Sequence, residues 1–141
     1  MMSVALFFTI KSLVMPVVEQ TQVASNVMWC ESGMNYKDGV VVLQTAVNRA
    51  KKSKISLISA LKFPRAYATE CPKRPMPSQT LHVWYGLLAS MDSLPAPEWS
   101  RKAFFYCGPS DKPENCHDRR SGYVGSVLHD FYMGYIPRRK L

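Results

Sequence analysis

Ten carboxylates are spread over this 141-residue chain, and one of them stands where acid chemistry is favoured. Glu31 lies in Cys30-Glu31-Ser32-Gly33, beside Trp29 and directly after an apolar stretch with helical spacing. That setting predicts a partly desolvated carboxyl, and desolvation favours the neutral acid over the anion. A protonated glutamic acid against apolar walls is the group required to protonate the leaving oxygen of a glycoside. A solvated glutamate at a helix end is the other reading of the same residue.

The four cysteines are the next chemistry-bearing set. Cys107 and Cys116 flank a Gly-Pro-Ser-Asp-Lys-Pro-Glu-Asn loop, so a bridge between them would close a short turn and leave Cys30 with Cys71. Four cysteines allow three connectivities, and spacing does not choose among them. An extracytoplasmic or virion setting permits such bridges. Cys107, Cys116 and His117 form a poor metal set, lacking a CxxC pair and a fourth ligand. The sequence calls for no metal and no organic cofactor.

One domain spans residues 1–141, long enough for one sizeable core. Hydrophobic residues make up 47% of the chain, which marks it as globular, and the formal net charge of +8 points to an anionic partner. Nucleic acid, phospholipid and the acidic polymers of a bacterial envelope are the candidate classes. The basic residues are not interleaved with aromatics on one stripe, which argues against specific nucleic-acid binding.

Residues 1–17 are apolar but broken by Lys11 and Pro16. No run there reaches the ~18–20 residues of a membrane span. The positive charge follows the apolar core, whereas in a signal peptide it precedes it. An ordinary first helix is expected, with a signal or anchor as the alternative.

The elements that must position Glu31 follow from spacing. Val23, Val27 and Cys30 share one helical stripe, and Ala24, Met28 and Glu31 the next, so Val18 to Glu31 reads as a helix stopped by Ser32-Gly33. Asp38 is the expected N-cap of a second helix from Gly39 to Lys52. Ser56 is expected to cap a short helix, Leu57 to Leu61. Phe63 to Ser78, rich in Pro, Arg and Lys, reads as a long ordered loop lining a cleft. A helix from Gln79 to Asp92, capped by Ser78, is expected to bury Leu81, Trp84, Leu88 and Met91. His82 and Trp99 are expected at the surface, Trp29 and Trp84 in the core. Lys102 to Cys107 suits a strand, and Gly122 to Tyr135 its partner strand or a strand followed by a short helix. The expected class is α+β, mainly helical with a small β-hairpin or short sheet near the C-terminus.

Several of these pieces resemble a known group. Glu31, Gly39 and the helix closing on Val47-Asn48-Arg49 resemble the spore-cortex-lytic-enzyme type of cell-wall hydrolase. Ala103-Phe104-Phe105-Tyr106-Cys107-Gly108-Pro109 and His129-Asp130-Phe131-Tyr132 resemble that family's later motifs in the same order. Glu31-Ser32-Gly33-Met34-Asn35 is similar to the Glu-Ser-x-x-Asn run of soluble lytic transglycosylases. The likeness spans roughly Val23 to Tyr132. The chain departs from the pattern in a Gly39-to-Asn48 interval about one residue short, in Asn35 where a second acid is common, in Val127-Leu128 before the histidine, and in Lys62-Phe63-Pro64.

The resemblance implies a lysozyme-like fold and peptidoglycan glycan strands as partner, cut at the β-1,4 bond between N-acetylmuramic acid and N-acetylglucosamine. It implies Glu31 as catalytic acid and base, with Asn48, Arg49, Tyr106, His129 and Asp38 in supporting or substrate-binding roles. Asn35 in place of a second acid favours lytic transglycosylation over muramidase hydrolysis, which normally needs a second carboxylate. Asp38 is the remaining second-acid candidate. Small size and basic balance resemble a bacteriophage wall-degrading protein, acting in a virion beside other virion proteins or in the host periplasm. A catalytically silent structural component of virion or envelope, and a basic nucleic-acid-binding module, are the readings from other classes.

Overall fold

Apolar residues at helical spacing, flanked by Asx, Ser and Gly punctuation, generate the first half of the chain. The computed structural model describes the backbone of residues 2–137 and the side chains of residues 16–137. The signal-or-anchor reading of residues 1–17 falls almost wholly on side chains outside that set. Helix α1 spans Met2–Ser32 and contains Pro16. It ends where expected, because Gly33 takes a left-handed φ of +57° while its amide still bonds the Trp29 carbonyl (2.8 Å). Among the described residues, no helix is long and apolar enough to cross a membrane.

Helix α2 spans Tyr36–Ser53. Its N-cap is Asn35, whose side chain accepts the Asp38 amide at 3.0 Å. The expected cap, Asp38, sits instead inside the first turn. Both residue types cap well, and the choice is made by a tertiary partner of Asp38 described below. Helix α3 is Leu57–Leu61, capped by Ser56.

Helix α4 covers His82–Ser90, shorter than expected, and Ser78 does not cap it. Its buried residues are His82, Gly86 and Ala89, whereas Leu81, Met91 and Trp84 are exposed, the last at 55%. Small residues set this face. A Cβ on Gly86 would lie 2.4 Å from Ser25 Oγ and 2.5 Å from the Thr21 carbonyl, so α4 packs closely on α1 through backbone. Three of the four side chains expected to be buried are turned outward, and the fourth, Leu88, is half-buried. His82, expected at the surface, is fully buried. Its Nε2 donates to the Gly33 carbonyl (2.7 Å), fastening α4 to the end of α1.

The second half supplies a three-stranded antiparallel sheet in the order β1-β3-β2, built from Phe105–Cys107, Asp130–Tyr135 and Arg120–Ser126 respectively. Residues 102–104, expected to extend β1, lie outside it. The β2–β3 register shifts between Tyr123 and Gly125. Gly125 sits against the Trp99 indole, which packs on the core and not at the surface. Phe131 on β3 is fully buried beneath Trp99 and Tyr106 and joins the sheet to the Val27, Met28, Val41, Val42, Leu43 and Leu61 core. Each such side chain contributes roughly 1.5–3 kcal/mol by leaving water. The molecule is thus α+β, with its sheet towards the C-terminal end.

Candidate active site around Glu31

Glu31 occupies the last turn of α1 and is half-buried. Its Oε1 accepts the Ala68 amide at 2.7 Å. That amide belongs to a segment, 62–81, without helix or strand, held against the end of α1 by several ties. The Cys30–Cys71 disulfide joins the residue before Glu31 to this segment. Arg74 Nη2 donates to the Cys30 carbonyl (2.9 Å), and Trp29 Nε1 donates to the Arg74 carbonyl (2.6 Å). A loop with no ladder of its own is thereby fixed by covalent and polar contacts to the element that carries the acid.

The resulting cleft is about 430 Å³. One wall is Phe63, Pro64, Arg65 and Ala66, as the loop reading anticipates; Phe105, Tyr106 and Tyr135 from the sheet form the other. Arg49 of α2, Arg120 of β2 and Asp111 complete it. Three larger hollows, of about 480, 540 and 610 Å³, carry no acidic residue.

Tyr106 hangs over this acid. Its hydroxyl donates to the Ala66 carbonyl at 3.4 Å. Burial first, and then the Glu31 charge facing it, hold the phenol well above its ordinary value. It therefore stays a hydrogen-bond donor throughout the neutral range. The neighbouring Tyr67 is buried and shares a 2.7 Å hydrogen bond with Thr45 Oγ1. Its phenol too is raised by burial.

Arg49 Nε donates to the Phe104 carbonyl (2.5 Å), and its guanidinium lies 4.3 Å from the Phe105 ring centroid and 5.4 Å from that of Tyr67. Asn48 is buried one position earlier and faces elsewhere. Its Nδ2 donates to the carbonyls of Ser100 (2.9 Å) and Ala103 (2.8 Å), and its Oδ1 accepts from Gln44. It braces the approach to β1, not the glutamate segment.

Asp38 does not reach the cleft. It is fully buried, and both oxygens are engaged. Oδ1 accepts the amides of Leu128 (2.9 Å) and His129 (2.8 Å); Oδ2 accepts Ser32 Oγ (2.7 Å) and His129 Nδ1 (2.5 Å). Burial pushes its carboxyl up, but the bonds from His129 and Ser32 outweigh this and hold it below the ordinary carboxylate value. His129 mirrors it: burial pushes the imidazole down, the Asp38 bond outweighs that, and the net direction is upward. The ring of His129 stands edge-on to Tyr106, centroids 5.1 Å apart. His129 is thus a structural support behind Tyr106, and Asp38 is withdrawn as a second acid.

Asp111 is the residue that sequence reading missed. It lies in the Cys107–Cys116 loop, its Oδ2 accepting the Gly108 amide at 2.6 Å. The available signal was its place in a loop closed by two cysteines next to Tyr106. The structure pairs Cys107 with Cys116 as well as Cys30 with Cys71. With both sulfurs bridged, Cys107, Asp111 and Cys116 cannot serve as a metal set, although their ligand atoms converge.

The chain matches no protein-family model, no curated protein and no solved structure, so the reading of this site stands on its residues and their geometry.

Proposed function

We propose that this chain cleaves the glycan strand of bacterial peptidoglycan at the N-acetylmuramic acid–N-acetylglucosamine β-1,4 bond, by lytic transglycosylation. The observation that carries the reading is the position of Glu31, a half-buried carboxyl with one oxygen fixed by the Ala68 amide, at a cleft walled by aromatic and cationic side chains. Glu31 gives its proton to the glycosidic oxygen as the C1–O bond breaks. The 6-hydroxyl of the same sugar attacks C1, and the Glu31 carboxylate takes the proton of that hydroxyl. The product is a 1,6-anhydro sugar, and one carboxyl serves both steps. The Tyr106 hydroxyl, which keeps its proton over the whole neutral range, would exchange its long 3.4 Å bond to the Ala66 carbonyl for one to substrate or to the Glu31 carboxylate. Two disulfides suit action in an oxidising setting such as a virion or the bacterial envelope.

Asp111 on the same cleft favours a second reading, hydrolysis, in which it activates water. Mass spectrometry of purified sacculi digested by the protein separates the two. Anhydromuramic ends are expected; reducing ends alone make it a muramidase; intact sacculi remove both readings.

A further inference from the structure

Positive charge exceeds negative charge in the Glu31 cleft. Arg49, Arg65 and Arg120 line its cleft with only Glu31 and Asp111 among the acids. Among the described residues, no carboxylate lies within ion-pair distance of these three arginines or of Arg119. The Nε atoms of Arg119 and Arg120 are buried and have no hydrogen-bond partner. Burial, and then repulsion from Arg49 and Arg119, disfavours the charged form of Arg120. An isolated buried or half-buried guanidinium is costly, and an anion lowers that cost.

The two inner arginines are also organised. The Phe105 ring lies 4.3 Å from the Arg49 guanidinium and 5.6 Å from that of Arg120. Phe105 is itself held edge-on by Tyr135, centroids 5.2 Å apart. The shared ring restricts both side chains; Arg49 Nε is held by the Phe104 carbonyl and Arg120 Nη1 by the Arg119 carbonyl (3.5 Å), which leaves both Nη groups of Arg49 and Nη2 of Arg120 for an acceptor. A solvated basic face would scatter its charges over flexible side chains; here they converge on one aromatic anchor at the acid's cleft.

We propose that Arg49 and Arg120 form an anion subsite in the Glu31 cleft that takes a carboxylate carried by the glycan strand. This rests on the reading of the cleft as a glycan-cleaving site and specifies which strands it takes. In peptidoglycan such a carboxylate has two sources. It is the lactyl group of a muramic residue whose stem peptide has been removed, or a carboxylate of the stem peptide itself. The lactyl source would place the reaction after amide cleavage of the stem.

The test is equilibrium binding to the Glu31→Gln protein, which keeps the cleft and cannot cut. Three oligosaccharides of equal length are compared: peptide-free glycan with free lactyl carboxylates, its methyl ester, and glycan with stem peptides. The free acid is expected to bind about tenfold more tightly than the ester, the scale of one charge-assisted hydrogen-bonded pair. Added salt should shrink that ratio. Arg120→Gln and Arg49→Gln should each bring it close to one. Tightest binding of the free acid assigns the lactyl group, and tightest binding of the peptide-bearing strand assigns the stem; either supports the subsite. Equal affinity for all three strands, or a preference for the acid or the stem-bearing strand that is unchanged in both arginine variants, overturns it. The acid–ester comparison needs no arginine variant, so poor folding of those proteins leaves it decisive. A persisting ratio together with sacculi left intact by the wild-type protein would retain the subsite and reject the glycan-cleaving reading.

Discussion

Glu31 and Asp38 are two acids seven positions apart, on either side of the same helix–helix turn. Asp38 is fully buried and accepts four hydrogen bonds, two of them from one histidine 91 positions away. Glu31 is half-buried, accepts the Ala68 amide, and faces a cleft. Asp38 locks the start of α2 to the turn before β3; with both oxygens engaged, it has none left for substrate. Glu31 is positioned by its surroundings without being used up by them. An acid suited to catalysis in this fold is the one with fewer partners.

Removing each side of this contrast has a different readout. The largest stability effect is expected at Asp38. Asp38→Ala leaves the His129 imidazole and amide buried without their acceptor and the Leu128 amide unpaired, and should cost about 3–5 kcal/mol in urea or thermal unfolding. A cost under 1 kcal/mol would mean that the Asp38–His129 pair does not hold the fold together.

Next is the tie that serves Glu31. Cys30 and Cys71 are 41 residues apart. Replacing both by Ser should cost about 2–4 kcal/mol. It should also slow sacculus lysis, because the segment donating the Ala68 amide loses its covalent anchor. Thiol titration of the native protein checks the premise: no free thiol is expected from the two bridges. Unchanged lysis in the double variant would separate the segment from the function of Glu31.

The smallest effect is the pH dependence of the Asp38–His129 pair. His129 is raised above its ordinary 6.5, so its contribution is complete below about that pH and is lost as pH rises through the folded value. Asp38 is lowered below its ordinary 3.8, so its contribution is present above that pH and is lost as pH falls through the folded value. Stability from the pair should therefore be fullest between these two ordinary values and decline on both sides. The alkaline decline should vanish in His129→Gln. Wild-type stability that rises above pH 7, with no change in that variant, would contradict the assignment.

What the sequence disclosed depended on whether local chemistry decided the outcome. The stop at Ser32-Gly33 and the helix at Leu57–Leu61 were legible because glycine and a serine cap act over a few residues. The small sheet was visible in aromatic runs near the C-terminus. Helix α4 misled because its packing rests on Gly86 and Ala89, which carry no signal in a pattern of large apolar residues. Trp84 and Trp99 exchanged expected places for the same reason: a ring packs where a glycine leaves room, and Gly125 does so for Trp99. Asn35 takes the capping role expected of Asp38 because His129, distant in sequence, claims the aspartate. The end of α1 that carries Glu31 was legible, while Asp111 was hidden in the loop closed by the Cys107–Cys116 bridge.

The account turns on the proton of Glu31. Glu31→Gln keeps an oxygen for the Ala68 amide and removes only the acid. Turbidity loss of purified sacculi should slow by about 10²–10⁴-fold, while the melting temperature stays near that of the wild type. Lysis at the wild-type rate by the folded variant would contradict the account.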